Sequence, residues 1–143
     1  ERSSSSSHGW GDTVRGALKV LQSDITDAEV TTSTNFTSFD SNGFTHGNGG
    51  RVNQSSQTYV AWCWKGGGSS NTYNIDGTGY GTASAAGLDG GTITPTGASV
   101  NTKAGFSIIT YTGNGTAGAT VAHGLGKKPV WVIIKCRTEC KWC

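Results

Sequence analysis

Thr58-Tyr59-Val60-Ala61-Trp62-Cys63-Trp64 carries the clearest strand signal in the chain. Side chains alternate across a β-strand, so Val60, Trp62 and Trp64 share one face and Tyr59, Ala61 and Cys63 the other. Both faces are largely apolar. That pattern predicts a central strand covered on both sides, with Trp62 buried and Cys63 an inert interior thiol.

Upstream, Asn35-Phe36-Thr37-Ser38-Phe39 reads as a strand, Asp40-Ser41-Asn42-Gly43 as a turn and Phe44-Thr45 as the returning strand. Asn-Gly is a hairpin signal because both residues tolerate positive φ. His46 follows in a glycine loop and is expected to be exposed. The stretch 12–22 admits two readings. Val14, Ala17, Leu18 and Leu21 would share a helical face, or Gly16 separates two short strands with Leu18 and Val20 facing the same way.

Downstream, Gly66-Gly67-Gly68-Ser69-Ser70-Asn71 reads as a flexible joint. The stretch 72–104 holds little apolar material beyond Tyr73, Ile75, Tyr80, Leu88, Ile93 and Val100. It is expected to be extended or loop, without a core of its own and free to wrap a partner chain. Three strands then follow as a small meander. They are Phe106-Ser107-Ile108-Ile109-Thr110-Tyr111, Ala119-Thr120-Val121-Ala122-His123 and a buried Val130-Trp131-Val132-Ile133-Ile134-Lys135.

Composition points the same way. Of 143 residues, 34% are apolar and 14% charged, while glycine alone takes 23 positions. Low charge argues against disorder driven by charge repulsion. Polarity comes instead from Ser, Thr, Asn and Gly, which suit turns and wet strand edges. The expected fold is all-β, an antiparallel β-sandwich or jelly-roll-like architecture, whole or incomplete, with long Gly/Ser/Thr-rich loops. A net charge of +2 with one adjacent basic pair, Lys127 and Lys128, gives no nucleic-acid footprint. The run 130–134 is far short of the roughly 20 residues a membrane helix needs.

Several of these stretches resemble a known group. They include Trp10-Gly11-Asp12-Thr13-Val14-Arg15-Gly16, Thr37-Ser38-Phe39-Asp40-Ser41-Asn42-Gly43-Phe44, Tyr59-Val60-Ala61-Trp62-Cys63-Trp64-Lys65 and Gly124-Leu125-Gly126-Lys127-Lys128-Pro129. They look like the structural or tail-associated proteins of marine-type environmental bacteriophages. In that group a concanavalin A-like (laminin G-type) jelly roll precedes a small β-module.

The resemblance implies three parts: the C-terminal portion of a jelly roll over 1–65, a flexible linker or extended arm over 66–104, and a β-meander module over 105–143. The chain begins where such a jelly roll is already well advanced and ends soon after Lys135. A smaller or rearranged sandwich, completed by oligomerisation, is therefore expected. The resemblance further implies a virion component whose partners are other virion subunits, itself or host-surface glycan. It supplies no catalytic residues.

Chemistry-bearing residues are scattered. A glycosidase needs two carboxyl groups roughly 5–10 Å apart, and Asp24, Asp27 and Glu29 form the densest acidic group. The plain alternative is a solvated loop. No Gly-x-Ser-x-Gly elbow is present. His123, beside a Ser or Thr, is the candidate for a hydrolase, with a turn role as its alternative. If the chain is a hydrolase, these four residues are the first to test; the expectation is that it is not an enzyme.

Gly113-Asn114-Gly115-Thr116-Ala117-Gly118 fits a dinucleotide fingerprint literally, but a strand rather than a helix is expected next. For carbohydrate binding, Trp10, Tyr73, Tyr80 and Trp142 lie in polar, glycine-rich surroundings; small cores are the competing use. No resident cofactor is expected. Cys136, Cys140 and Cys143, with Cys63 or His123 as fourth ligand, could hold zinc, though their spacing is no recognised finger, and Asp40 with Asn42 could offer oxygens to calcium without a specific spacing. A disulfide among the terminal cysteines is the other reading.

Overall fold

The computed structural model describes residues 6–138. It divides into two compact units, one formed by 6–62 with 132–138 and one by Cys63–Trp131. Apart from one four-residue helix, the regular structure is β-strand, so the chain is all-β.

In the first unit, β1 (Gly9–Trp10), β2 (Lys19–Gln22) and β3 (Val30–Thr31) form an antiparallel sheet in that order. The stretch 12–22 is neither a helix nor two strands: 13–15 is a turn, 19–22 alone is strand, and Leu18 is exposed where Val20 is buried. Asp12 Oδ1 accepts the amides of Val14 and Arg15, at 3.1 and 2.9 Å, and Gly16 follows at φ +97°, a left-handed value that suits glycine. The chain then enters β2 with Val20 and Leu21 buried.

The predicted hairpin is present as β4 (Phe36–Asp40) and β5 (Gly43–His46), followed by the short helix α1 (Gly50–Asn53). Asp40 pairs with Gly43, so Ser41 and Asn42 make the turn. Neither Asn42 nor Gly43 has positive φ, so the turn stands where expected but is not of the positive-φ kind that Asn-Gly signals. Phe36 meets Phe44 edge-on at 5.8 Å, and Phe44 lies 5.9 Å from the His46 ring. His46 is half-buried in this cluster, not exposed.

The second unit holds a four-stranded mixed sheet in the order β7-β6-β8-β9. Its strands are β6 (Tyr73–Ile75), β7 (Thr78–Tyr80), β8 (Gly97–Asn101) and β9 (Phe106–Thr110). β6 and β7 are joined by Asp76-Gly77, with φ of +51° and +94°. Paired positive φ values give a two-residue hairpin loop a twist that matches its strands. β6 runs parallel to β8, and β8 antiparallel to β9.

Alternation gives this sheet two unlike faces. Tyr73, Ala98 and Val100 lie on one, packed with Ala83, Ala86 and Leu88 and flanked by Tyr80, Ile109, Ala122 and Leu125. Leu88 is 1% exposed. The other face carries Asn74 and Ser99, both buried and polar. The 66–71 segment bonds to it. The Gly67 amide donates to Ser99 Oγ at 2.9 Å, and that hydroxyl donates to the Gly68 carbonyl at 2.8 Å. Asn74 Oδ1 accepts from the Asn71 amide at 3.1 Å.

Five stretches depart from the sequence expectation. The 66–71 stretch is a bonded strap, and its glycines serve close approach: a Cβ on Gly67 would lie 2.0 Å from the Val100 carbonyl oxygen. The 72–104 stretch is neither loop nor wrapping arm; it supplies three strands and most of the second unit's core. Small residues made that core hard to see, because Ala83, Ala86 and Ala98 bury little area each yet pack closely.

The 58–64 stretch joins no β-ladder: Tyr59 is half-buried, while 60–64 is exposed, with Trp62 at 74%, and Cys63 is an exposed free thiol. The 130–134 stretch is likewise unpaired, with Val130 at 104% and Trp131 at 74%. Among the described residues, the backbones of 59–64 and 130–134 make no hydrogen bond. Apolar alternation sets a preference for the extended state, but a strand needs a second backbone to complete its ladder. The 119–123 stretch gives only an isolated parallel bridge, Ile93 to Val121.

Candidate functional site

The acidic group does not assemble. Asp24 is exposed and accepts the His8 amide at 3.3 Å, while Asp27 is exposed and its carbonyl accepts Lys135 Nζ at 3.3 Å. Glu29 turns inward, its side chain only 8% exposed, between Arg15 and Arg137 at 3.1 and 2.8 Å. Burial alone would raise its pKa, but hydrogen bonds from Arg137 and Arg15 and their positive charges outweigh that and hold the carboxyl below its ordinary value. Asp12 completes the cluster by binding Arg15 Nε at 2.6 Å. A carboxylate so engaged is a tie between β3's entry and the 132–138 stretch, poorly suited to carry a proton in catalysis.

His123 Nδ1 accepts the Leu125 amide at 3.2 Å, which closes a turn. Asp40 receives the hydroxyls of Ser38 and Thr45, each at 2.8 Å, so both its oxygens serve the β4–β5 hairpin. Cys136 is disulfide-bonded and therefore no thiolate ligand. Cys140, Cys143 and Trp142 lie outside the described residues. Among the described residues, no three His, Cys, Asp or Glu side chains gather around a point.

The aromatic residues singled out for sugar binding fare differently. Tyr73 is core, its hydroxyl donating to the Pro95 carbonyl at 2.8 Å, and Tyr80 packs half-buried against that core. Neither presents a ring for stacking. Trp10 is exposed on β1. An exposed ring lies elsewhere: Trp64 stacks on Phe106, with centroids 5.9 Å apart and planes inclined by 19°. Its sequence position suggested interior packing, which is why composition overlooked it.

A cleft of about 260 Å³ is lined by Lys65, Gly66, Gly68, Asp76, Asn101 and Lys103 among others; neither ring of the stack lines it, but Lys65 follows Trp64 in the chain. Asn101 is the β-ladder partner of Phe106 and donates through Nδ2 to the Lys65 carbonyl at 3.1 Å. Asp76 accepts the Thr102 amide at 2.8 Å and the Thr102 hydroxyl at 2.5 Å. Those two bonds, helped by the charge of Lys103, hold its carboxyl below the ordinary value despite a small opposing effect of burial. They also fix a non-glycine residue at φ +51°. The glycines at 66–68, and Asp76-Gly77 as a hairpin turn, are sequence signals that mark this place.

Residues 1–142 match the family described as "Domain of unknown function (DUF7483)". The chain belongs to that family. No curated protein and no solved structure matches it. The cleft and the Trp64–Phe106 stack thus belong to a DUF7483 domain, and their chemistry has to be argued from their own geometry.

Proposed function

We propose that this chain is a non-catalytic structural module of a bacteriophage particle, which lends strands to a neighbouring virion subunit and turns its loops toward host-surface carbohydrate. One observation carries the assembly reading: 60–64 and 130–134 are apolar and exposed and lie in no strand, with backbones that make no hydrogen bond among the described residues. Backbone of that kind is a template for strand addition.

Charge selects the partner. Lys127, Lys128 and Lys135 bracket 130–134. A second copy of the same segment laid antiparallel would set lysine against lysine, and like charges directly opposed are destabilising. The fitting occupant is a strand of another subunit with acidic ends. The phage assignment is supported by the sequence resemblance described above. A scaffold rather than an acid–base role is supported by the structural bonds of Glu29 and Asp40.

The test mixes the full chain with two peptides sharing an alternating Val/Thr core, one flanked by Asp and one by Lys. Amide hydrogen exchange over 130–134 should slow with the acidic peptide only, less so at high salt, and not in Val132→Pro. Equal protection by both peptides, or none, overturns the partner proposed. Turnover of a chromogenic glycoside or ester, abolished by Asp24→Asn, Asp27→Asn or His123→Ala, overturns the non-catalytic assignment.

A further inference from the structure

We infer that the cleft beside Trp64 binds a carboxylate-bearing sugar, with Lys65 and Lys103 holding the carboxylate and the indole of Trp64 covering an apolar face of the ring. This rests on the surface-carbohydrate part of the proposed function and gives it a place and a substrate class.

Lys65 and Lys103 line the same cleft, and neither is in a salt bridge among the described residues. The one acidic residue in the lining, Asp76, already spends both oxygens on Thr102. The lining thus sets two ammonium groups against one ionised carboxylate whose oxygens are turned to Thr102, which leaves it net positive toward an entering anion. Lysine serves such a role as a point charge on a flexible stem.

Neutral donors add to this. The amides of Gly66 and Gly68 donate to no protein acceptor among the described residues, and both residues are in the lining. Side chains could not stand at 66 and 67: a Cβ on Gly66 would lie 2.7 Å from Ser99 Oγ, and one on Gly67 would strike the Val100 backbone. The strap is thus held flat against β8 by Ser99, with its backbone open to a ligand. Asn101 is engaged at both ends of its amide, Nδ2 donating to the Lys65 carbonyl and Oδ1 accepting the Ala104 amide, so it shapes the wall of the cleft and leaves the binding to the lysines and the strap.

The aromatic ring decides between a bare anion and a sugar. Ladder partners project from the same face of a sheet, so Phe106, paired with Asn101, brings the stacked Trp64 to the face that bears the cleft. Trp64 keeps most of its surface in water. An exposed indole next to charged and amide donors offers an apolar plane and a polar tip together, which suits a pyranose better than phosphate. Size agrees: about 260 Å³ falls just below the roughly 300–1,000 Å³ of drug-sized pockets, enough for one ring of a glycan end.

Binding is read by titrating the full chain with galacturonic acid and N-acetylneuraminic acid, galactose as the neutral counterpart and inorganic phosphate as a bare anion. At least one acidic sugar should bind at least tenfold more tightly than galactose and phosphate. Lys103→Ala and Lys65→Ala should each weaken it about fivefold or more, and Trp64→Ala should weaken it while leaving any phosphate binding unchanged. Circular dichroism of each variant guards against misfolding, and Lys103→Arg, which keeps the charge, should retain at least part of the affinity. Equal binding of galactose, equal binding of phosphate, or indifference to both lysine substitutions in folded protein overturns the inference. Strand-peptide protection over 130–134 is measured on the same variants. Its survival with sugar binding absent discards the cleft alone, and its loss with sugar binding intact discards the assembly reading alone.

Discussion

Arg137 grips Glu29 with two bonds, Nε to Oε2 at 3.0 Å and Nη2 to Oε1 at 2.8 Å, and so pins the 132–138 stretch to the entry of β3. Arg15 approaches the same carboxylate at 3.1 Å. Glu29→Gln keeps the shape and removes the charge. It should cost about 2 kcal/mol, because hydrogen bonds to charged groups contribute roughly 1.5–3 kcal/mol each while the half-exposed Arg137 side is screened by water.

The pH dependence has a definite sign. A carboxyl whose folded pKa is depressed adds stability above its unfolded value, here about 4.5. It loses that contribution as pH falls through the lower folded value. Urea midpoints measured from pH 6 down to pH 3 should therefore fall more steeply for the parent chain than for Glu29→Gln. Parallel curves would assign the acid sensitivity to other groups.

Gly67 and Gly90 make a controlled pair. A Cβ at Gly67 meets Val100 backbone atoms at 2.0 to 2.6 Å, whereas one at Gly90 meets nothing within 4 Å. Backbone cannot swing aside as a side chain can, so Gly67→Ala should cost about 3 kcal/mol, the upper end of overpacking. Gly90→Ala should be neutral or stabilising by up to roughly 1 kcal/mol. Thermal melts of the two variants check the contrast.

Leu88 and Trp62 reverse the usual expectation that the larger ring matters more. Leu88→Ala should cost about 3 kcal/mol through the cavity it leaves. Trp62→Ala, at a side chain 74% exposed, should change stability by no more than about 0.5 kcal/mol. Denaturant midpoints decide, and a large loss at Trp62 would mean that it is covered in solution.

Cys63 is exposed. Iodoacetamide should alkylate it in the native chain at nearly the rate seen in urea, as read by peptide mass mapping. Protection without denaturant would again indicate a covered 59–64 segment.

What was legible in the sequence was local. The hairpin around Ser41 and Asn42, the strand Phe106–Thr110 and the all-β class follow from alternation and turn residues. The core of the second unit was hidden because it is built from alanines and from Ser99 and Asn74, which carry no apolar signature. The strap at 66–71 was hidden for a related reason: glycine marks freedom in an isolated chain and close approach in a packed one, and composition does not distinguish the two. In the opposite direction, Trp62 and Val130 have the chemistry of an interior and sit in water, since alternation records what a strand prefers without naming its neighbour. The cleft drew on Lys65 and Lys103, 38 positions apart by subtraction of their numbers, and only the β8–β9 turn brings them together.

The buried Ser99 and Asn74 have a thermal consequence. Exposing apolar surface on unfolding raises the heat capacity, while exposing polar surface lowers it. A sheet that hides amide and hydroxyl groups on one side partly cancels the increment from the other. Unfolding of the second unit should show a slightly smaller heat-capacity step in calorimetry than the same sheet with apolar residues at 74 and 99.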